Sequence, residues 1–300
     1  MPPLPTYVLV TPARNEAEYI ELTIKSVVAQ TMPPEKWVIV SDGSTDGTDE
    51  IVTKYLGANP WLELVTLPPR KERNFAGKVH AFNAGYERVR DVQYDIIGNL
   101  DGDVSFDSEY FAFLMEQFRN NPDLGVAGTP FREGSFQYDY RFTSIEHVSG
   151  QCQLFRKACF EDVGGFVPRR IGGVDLVAVT TARMKGWQTR TFPEKVYEHH
   201  RQMSTANNRR LLVPFRGGVT DYALGCHVVW ELARCIYQTS RPPIIIGGLL
   251  RMLGYMYAPL SGMERQVSKD FMRFRQAEQM ARLKAFVSQI FSSKKKSANN

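Results

Sequence analysis

Asp101 and Asp103, separated by Gly102, close the short apolar run Ile96-Ile97-Gly98-Asn99-Leu100. A run of this length reads as a buried parallel strand, and its end is where open α/β sheets carry their chemistry. Residues two apart in extended backbone lean to one side, so both carboxylates can face one crevice, and Gly102 leaves room for an ion. Such a pair suits a hard divalent cation that keeps water and substrate phosphate oxygens in its shell. The same tripeptide is also ordinary turn chemistry, with glycine free to take positive φ and aspartate bonding its own backbone. The surroundings decide between the two.

Those surroundings alternate strand, turn and helix. Tyr7-Val8-Leu9-Val10-Thr11 is a short β-rich run, followed by helical spacing from Glu16 to Gln30. Trp37 to Val40 predicts a second strand, with a helix through Ile51, Val52 and Tyr55. Leu62 to Leu67 predicts a third strand, and a helix from Lys78 to Val89 leads into the strand ending at Asp101. This is the order of βαβ units, whose crossovers build a parallel sheet. Beyond it, Ser108 to Asn120 and Leu176 to Lys185 predict helices, Gly125 to Gly128 a strand, and Gln188 to Tyr197 an alternating edge strand.

Individual positions carry chemistry of their own. Asp42, at a strand end before Gly43, can accept a base N–H, while Ser44 or Thr45 is placed to cap the following helix. Lys78 sits at the start of a helix, where a cation opposes the helix dipole; that mismatch favours an anionic ligand such as phosphate. His199 and His200 follow a strand-like stretch, and in extended backbone only one of the two can face a site.

The bulk composition narrows the function classes. The chain has 300 residues, 43% of them hydrophobic, and a formal net charge of +5, enough to bury a substantial core. Residues 241–300 hold 11 Lys and Arg against 3 Asp and Glu, whereas residues 1–240 hold 26 against 29. A slightly acidic body with a basic, apolar end argues against nucleic-acid binding and for an anionic surface met by one end. Cys152, Cys159, Cys226 and Cys235 lack metal-site spacing and disulfide density, which points to reduced thiols in a cytoplasmic setting. Met1 to Pro5 has no basic or apolar region of a signal peptide.

Four stretches then agree with one another: Thr11-Pro12-Ala13-Arg14-Asn15-Glu16, Val40-Ser41-Asp42-Gly43-Ser44-Thr45-Asp46-Gly47-Thr48, Gly77 to Gly85, and Leu100-Asp101-Gly102-Asp103. Occurring in this order at successive strand ends, they make the sequence resemble inverting, non-processive members of glycosyltransferase family 2 over roughly the first two hundred residues. The resemblance implies a GT-A fold, an α/β Rossmann-like nucleotide-diphospho-sugar transferase, here with a C-terminal α-helical module. It implies that Pro12, Arg14, Glu16, Asp42, Ser44, Lys78, Asp101 and Gly102 lie on the nucleotide and donor side. Asp103 would be the direct ligand of Mn2+ or Mg2+, Asp101 would touch ribose or metal, and His199 would complete the shell. Asp175, after Val174 where relatives carry a first acid, would be the base, with a helix N-cap as its other reading, and Gly164 and Gly165 would line the sugar site. A UDP-sugar is the favoured donor and GDP-mannose a second. The acceptor would be a saccharide or lipid-linked glycan in polysaccharide or glycoconjugate synthesis. No Gln-x-x-Arg-Trp segment is present, which favours transfer of a single sugar.

The expected organisation is a catalytic domain over 1–212, with nucleotide-binding (1–103) and acceptor (104–212) halves, a helical module over 213–291, and a disordered basic tail over 292–300. Asp221 to Tyr237 predicts one helix, with Trp230, Leu232, Ala233 and Ile236 as its apolar contacts. Ile244 to Leu260 spans 17 residues interrupted by Arg251, short of the roughly 20 a spanning helix needs, so it is interfacial, re-entrant or buried. Met263 to Ala281 resembles a basic amphipathic helix lying on anionic lipid, or else packing as a bundle or homo-oligomer contact. Together these expectations describe a peripheral enzyme on the cytoplasmic face of a membrane. Two rivals are a sugar-1-phosphate nucleotidyltransferase, which would open with a glycine-rich phosphate loop that Thr11 to Glu16 lacks, and a catalytically silent nucleotide-sugar-binding subunit, for which Val174 speaks.

Overall fold

Tyr7 to Val10 in strand β1 (Tyr7–Ala13) and Trp37 to Asp42 in β2 (Lys36–Asp42) are buried without alternation, as strands are when both sheet faces are covered. The computed structural model describes residues 2–69, 75–134, 144–201, 212–239 and 244–297, without the side chains of Phe75 and residues 289–297. It divides into two units, Met1–Met203 and Ser204–Asn300.

The first unit follows the βαβ order. Helix α1 (Ile20–Val28), α2 (Thr48–Leu56), β3 (Leu62–Leu67), α3 (Phe75–Val89) and β4 (Ile96–Leu100) succeed β1 and β2. Short β5 (Val104–Ser105), α4 (Tyr110–Asn120), β6 (Leu124–Gly128), β7 (Phe131–Arg132), β8 (Cys152–Arg156), α5 (Lys157–Asp162), α6 (Val174–Met184), β9 (Gln188–Thr191) and β10 (Tyr197–His199) complete it. The large sheet runs β3-β2-β1-β4-β8-β6-β9, and β5-β10-β7 form a small second sheet. Strands β1 to β4 are mutually parallel, whereas β8 is antiparallel to both neighbours.

Each face of the sheet has its own apolar layer. Ile20, Ile24, Phe111, Leu114 and Phe118 cover one face; Val79, Phe82, Phe160 and Val179 cover the other. Helix α3 settles close on the sheet because Gly85 has no side chain: a Cβ there would lie 2.5 Å from Val10 Cγ1 and 2.8 Å from Val40 Cγ2.

Several local expectations are corrected. The stretch from Gln188 to Tyr197 is two strands in two sheets, because Pro193 cannot donate to a ladder. Helix α2 begins at Thr48 after a left-handed Gly47, without a side-chain cap from Ser44 or Thr45.

The second unit holds α7 (Leu212–Ala223), α8 (Val228–Gln238), α9 (Ile246–Leu260) and α10 (Lys269–Ser297). The single helix expected from Asp221 to Tyr237 is broken at Gly225, whose φ of +78° lies in the left-handed region, and His227 caps α8 by accepting from the Val229 N–H. Leu232 and Ile236 point outward rather than into contacts. Helix α9 is seated by glycines, since a Cβ on Gly254 would fall 2.0 Å from Phe215 O and one on Gly218 1.9 Å from Arg251 O. Helix α10 turns Phe271, Arg275 and Gln279 inward, the last accepting from the His227 N–H at 2.9 Å. Its backbone stays helical to Ser297, across part of the expected disordered tail. No described helix is long and apolar enough to cross a membrane.

Candidate active site

The loops that follow β1 and β2 are laced together by their own polar side chains. Ser44 Oγ accepts from the Asn15 N–H (3.2 Å), Asn15 Oδ1 from the Thr45 N–H (2.9 Å), Thr48 Oγ1 from the Glu16 N–H (2.9 Å) and Asp46 Oδ2 from the Ala17 N–H (3.0 Å). Ser44 therefore joins the two loops instead of capping a helix. At this seam Arg14 Nη1 lies 3.8 Å from Asp42 Oδ2, with Asp42 buried. Pro12 sits in β1 opposite Val40. The structure thus brings Pro12, Arg14, Glu16, Asp42 and Ser44 to one edge of the sheet.

The acids beyond β4 are each engaged by a cation. Lys78 Nζ donates to Asp101 Oδ1 at 2.5 Å. Burial alone would lower the lysine, but the Asp101 charge holds it above its ordinary value. Burial, with Asp103 nearby, leaves Asp101 raised even against the pull of Lys78. Asp103 is held low despite its burial, by His199 and then by Arg201 and Lys78. A Cβ on Gly102 would lie 2.9 Å from Ile20 Cδ1 and 3.4 Å from Glu16 Cγ.

Of the two histidines, His199 faces the acids. Its Nε2 is 3.6 Å from Asp103 Oδ2 and its Nδ1 3.0 Å from Glu133 Oε2. Burial would lower its pKa, but the bonds and charges of Asp103 and Glu133 raise it. His200 points elsewhere, its Nε2 2.8 Å from Ser105 Oγ. Asp103 Oδ1 is buried and has no hydrogen-bond partner, an opening suited to a cation. The acids are not a closed cage, however: among the described residues the one group of three convergent ligand side chains is Asp221, Cys226 and Glu231.

A cavity of about 400 Å³ in the first unit is lined by Lys78, Asp101, Asn99, Gln153, Gly173 and Asp175 among others. Asp175 is in the first turn of α6, and the cap position is held by Gly173 at φ +70°, so Asp175 is not the N-cap. Its carboxylate packs on Gly150, where a Cβ would meet Oδ2 at 2.8 Å. Asn99 and Gln153 face each other across β4 and β8. Their amide nitrogens donate to Gly150 O (2.7 Å) and Val148 O (2.8 Å), which orients both amides. Gln153 Oε1 is left buried and without a hydrogen-bond partner. Gly164 and Gly165 line a different cavity of about 270 Å³, beside Tyr86 and Phe160, so the structure does not gather them with Asp101 and Asp175.

A model of glycosyl transferase family 2 matches residues 8–171. The chain belongs to glycosyl transferase family 2. Curated relatives of this transferase include the poly-beta-1,6-N-acetyl-D-glucosamine synthases of Staphylococcus epidermidis and Staphylococcus aureus (strain COL), each 28% identical over 170 residues. The match takes in 50% of this chain and 39% of each relative, so the chain spans well under half their length. Among solved structures, the mannosyltransferase PcManGT from Pyrobaculum calidifontis, in complex with GDP-Man and Mn2+, aligns with a TM-score of 0.56 at 20% identity, over 95% of this chain and 86% of that one. TarS 1-349 of S. aureus in complex with UDP-GlcNAc aligns with 0.53 at 16% identity, over 94% and 80%. The fold of this family 2 glycosyltransferase is GT-A.

Three residues of the candidate site escaped sequence reasoning. Arg201 donates through Nε to Asp103 Oδ2 at 3.1 Å and through Nη2 to Glu16 Oε2. Glu133 backs His199, and Gln153 floors the cavity. Arg201 had a signal, since it follows the histidine pair directly; Gln153 lies on β8 and Glu133 directly after β7, strands whose pairing only the fold reveals.

Proposed function

We propose that this glycosyltransferase moves a single sugar from a nucleotide sugar to a hydroxyl of a saccharide or lipid-linked acceptor, with inversion, in the presence of Mn2+ or Mg2+. The observation that carries this reading is one cavity lined at once by the Lys78–Asp101 pair and by Asp175. A phosphate-binding cation and a carboxylate able to take a proton then border the same space.

The donor lies with its base against Glu16 and Asp42 and its diphosphate toward Lys78. Asp175 accepts the proton of the acceptor hydroxyl as that oxygen bonds to the anomeric carbon. The bond from that carbon to the phosphate oxygen breaks, and the nucleoside diphosphate leaves with the electron pair. Mn2+ or Mg2+, when bound, offsets the charge gathering on the leaving diphosphate. Asp103, with its unpartnered Oδ1, and then Asp101 and His199 would hold it, the histidine through a neutral ring nitrogen.

A UDP-sugar is the favoured donor and GDP-mannose the second. Support comes from the N-acetylglucosamine polymer in the name of the 28% identical relative and from the UDP-GlcNAc complex of TarS, set against the GDP-Man complex of the 20% identical PcManGT. Release of nucleoside diphosphate from UDP-GlcNAc, UDP-glucose and GDP-mannose, measured with Mn2+, tests the proposal. Turnover of a UDP-sugar is expected, lowered by about 10²- to 10⁴-fold in Asp175→Asn with UDP binding retained. Unchanged turnover in Asp175→Asn, or binding without turnover in the wild type, would remove the reading.

A further inference from the structure

Helices α8 and α9 of the helical unit expose aliphatic side chains, while Asp221 and Glu231 are buried among arginines. In the unit's interior, Asp221 accepts from Arg275 (3.3 Å) and pairs with Arg251, whose Nε is 2.8 Å from Glu231 Oε1, while the exposed Arg234 reaches Asp221 from outside at 2.9 Å. On its exterior, Leu249, Leu253, Met256 and Leu260 of α9 are 60%, 57%, 54% and 83% exposed. Val228, Leu232 and Ile236 of α8 are 55%, 50% and 65% exposed.

At roughly 100° per residue, the four α9 side chains fall within an arc of about 60°. Gly248, Gly254 and Ala258 occupy the opposite side and are buried. Helix α8 likewise turns Glu231 and Cys235 in and its aliphatic residues out. A helix of a water-soluble bundle does the reverse. Polar groups inward and hydrocarbon outward is the arrangement of helices whose surroundings are lipid.

Neither helix reaches across a bilayer: α9 has 15 residues, about 22 Å at 1.5 Å per residue, against a hydrocarbon core of about 30 Å. The occupant is therefore a membrane surface rather than a membrane interior. Charge selects its sign, with 11 Lys and Arg against 3 Asp and Glu over residues 241–300, including exposed Lys269, Arg273 and Lys284 on α10. A second copy of this chain would bring like charge against like. We propose that the outer face of α8 and α9 seats in the interface of an anionic phospholipid bilayer. This goes beyond the transfer reaction and does not depend on which sugar is moved.

Co-sedimentation of the full chain with phosphatidylcholine vesicles, with and without phosphatidylglycerol, tests it. Binding is expected to be at least about tenfold tighter with phosphatidylglycerol and to weaken in high salt. Leu249→Ser/Leu253→Ser is expected to lose at least about tenfold of that binding. So is Leu232→Ser/Ile236→Ser, with helix content and vesicle-free donor turnover unchanged in both. The proposal is overturned if the wild type ignores both vesicles, if both double variants bind like the wild type, or if light scattering finds a dimer that the variants dissolve. Because donor turnover is measured without lipid, none of these results touches the reaction itself.

Discussion

Arg201 Nε lies 3.1 Å from Asp103 Oδ2, on the carboxylate opposite the oxygen that has no partner. The same guanidinium reaches Glu16, so one cation bridges the acid expected to hold metal and the acid expected to face the nucleoside. In the proposed reading it competes for Asp103 with a divalent ion. Arg201→Ala is expected to raise the donor-free affinity for Mn2+ by about fivefold, the order of 1 kcal/mol that a half-exposed ion pair carries. Free Mn2+ counted by electron paramagnetic resonance checks this; a weaker affinity in the variant would mean that Arg201 supports the ion site.

Gln153 Oε1 is an acceptor fixed in direction and given nothing to accept. In the reading above, a hydroxyl or amide N–H of the bound sugar satisfies it. Gln153→Leu is expected to weaken the nucleotide sugar by about tenfold, the scale of one buried hydrogen bond, while leaving UDP alone unaffected. Calorimetry with UDP and with the UDP-sugar separates the two. Equal losses for both ligands would place Gln153 outside the sugar's reach.

Burial, with the Asp221 charge beside it and Arg251 opposing, pushes the Glu231 carboxyl up to about 7 from 4.5. A raised value in the folded chain means the native state binds the proton more tightly. Its contribution is therefore complete below pH 4.5 and lost as pH rises through about 7. Glu231→Gln, which keeps the neutral shape, is expected to flatten the fall in stability across that window. Chemical denaturation at pH 5 and pH 8 checks it, with the variant gaining on the wild type only at the higher pH.

Gly85→Ala tests the seat of α3. The added methyl meets Val10 and Val40, both buried and stiff. Overpacking of this kind costs about 1–3 kcal/mol and outweighs the roughly 1 kcal/mol that alanine gains over glycine in a helix. Lower stability by denaturation and weaker nucleotide binding are expected together, because Lys78 rides on the same helix.

The strands of the nucleotide half were legible because runs such as Val8-Leu9-Val10 and Val38-Ile39-Val40 are short, β-branched and bounded by turn residues. The pairing of Lys78 with an anion was legible from its misfit to the helix dipole, although the partner found is Asp101. Gln153 was not, because its place across from Asn99 depends on β8 entering the sheet reversed, which periodicity does not encode. The break at Gly225 was visible as a glycine before a capping His227 but was masked by the apolar residues on either side. The ionic interior of the helical unit was hidden for a related reason: Asp221, Glu231, Arg251 and Arg275 are far apart in sequence, and each alone resembles a solvated charge.

Reversal of β8 also shapes the cleft. Because this strand runs against β4, the chain just before it arrives at the catalytic edge, where Gln151 O accepts from the Asp101 N–H at 2.8 Å. A peptide that in an all-parallel sheet would be stranded on the remote rim becomes one wall of the cleft. In the proposed reading, residues 144–151 border the acceptor side of the cavity, so grafting them from another member is expected to change the product while leaving donor binding as it is.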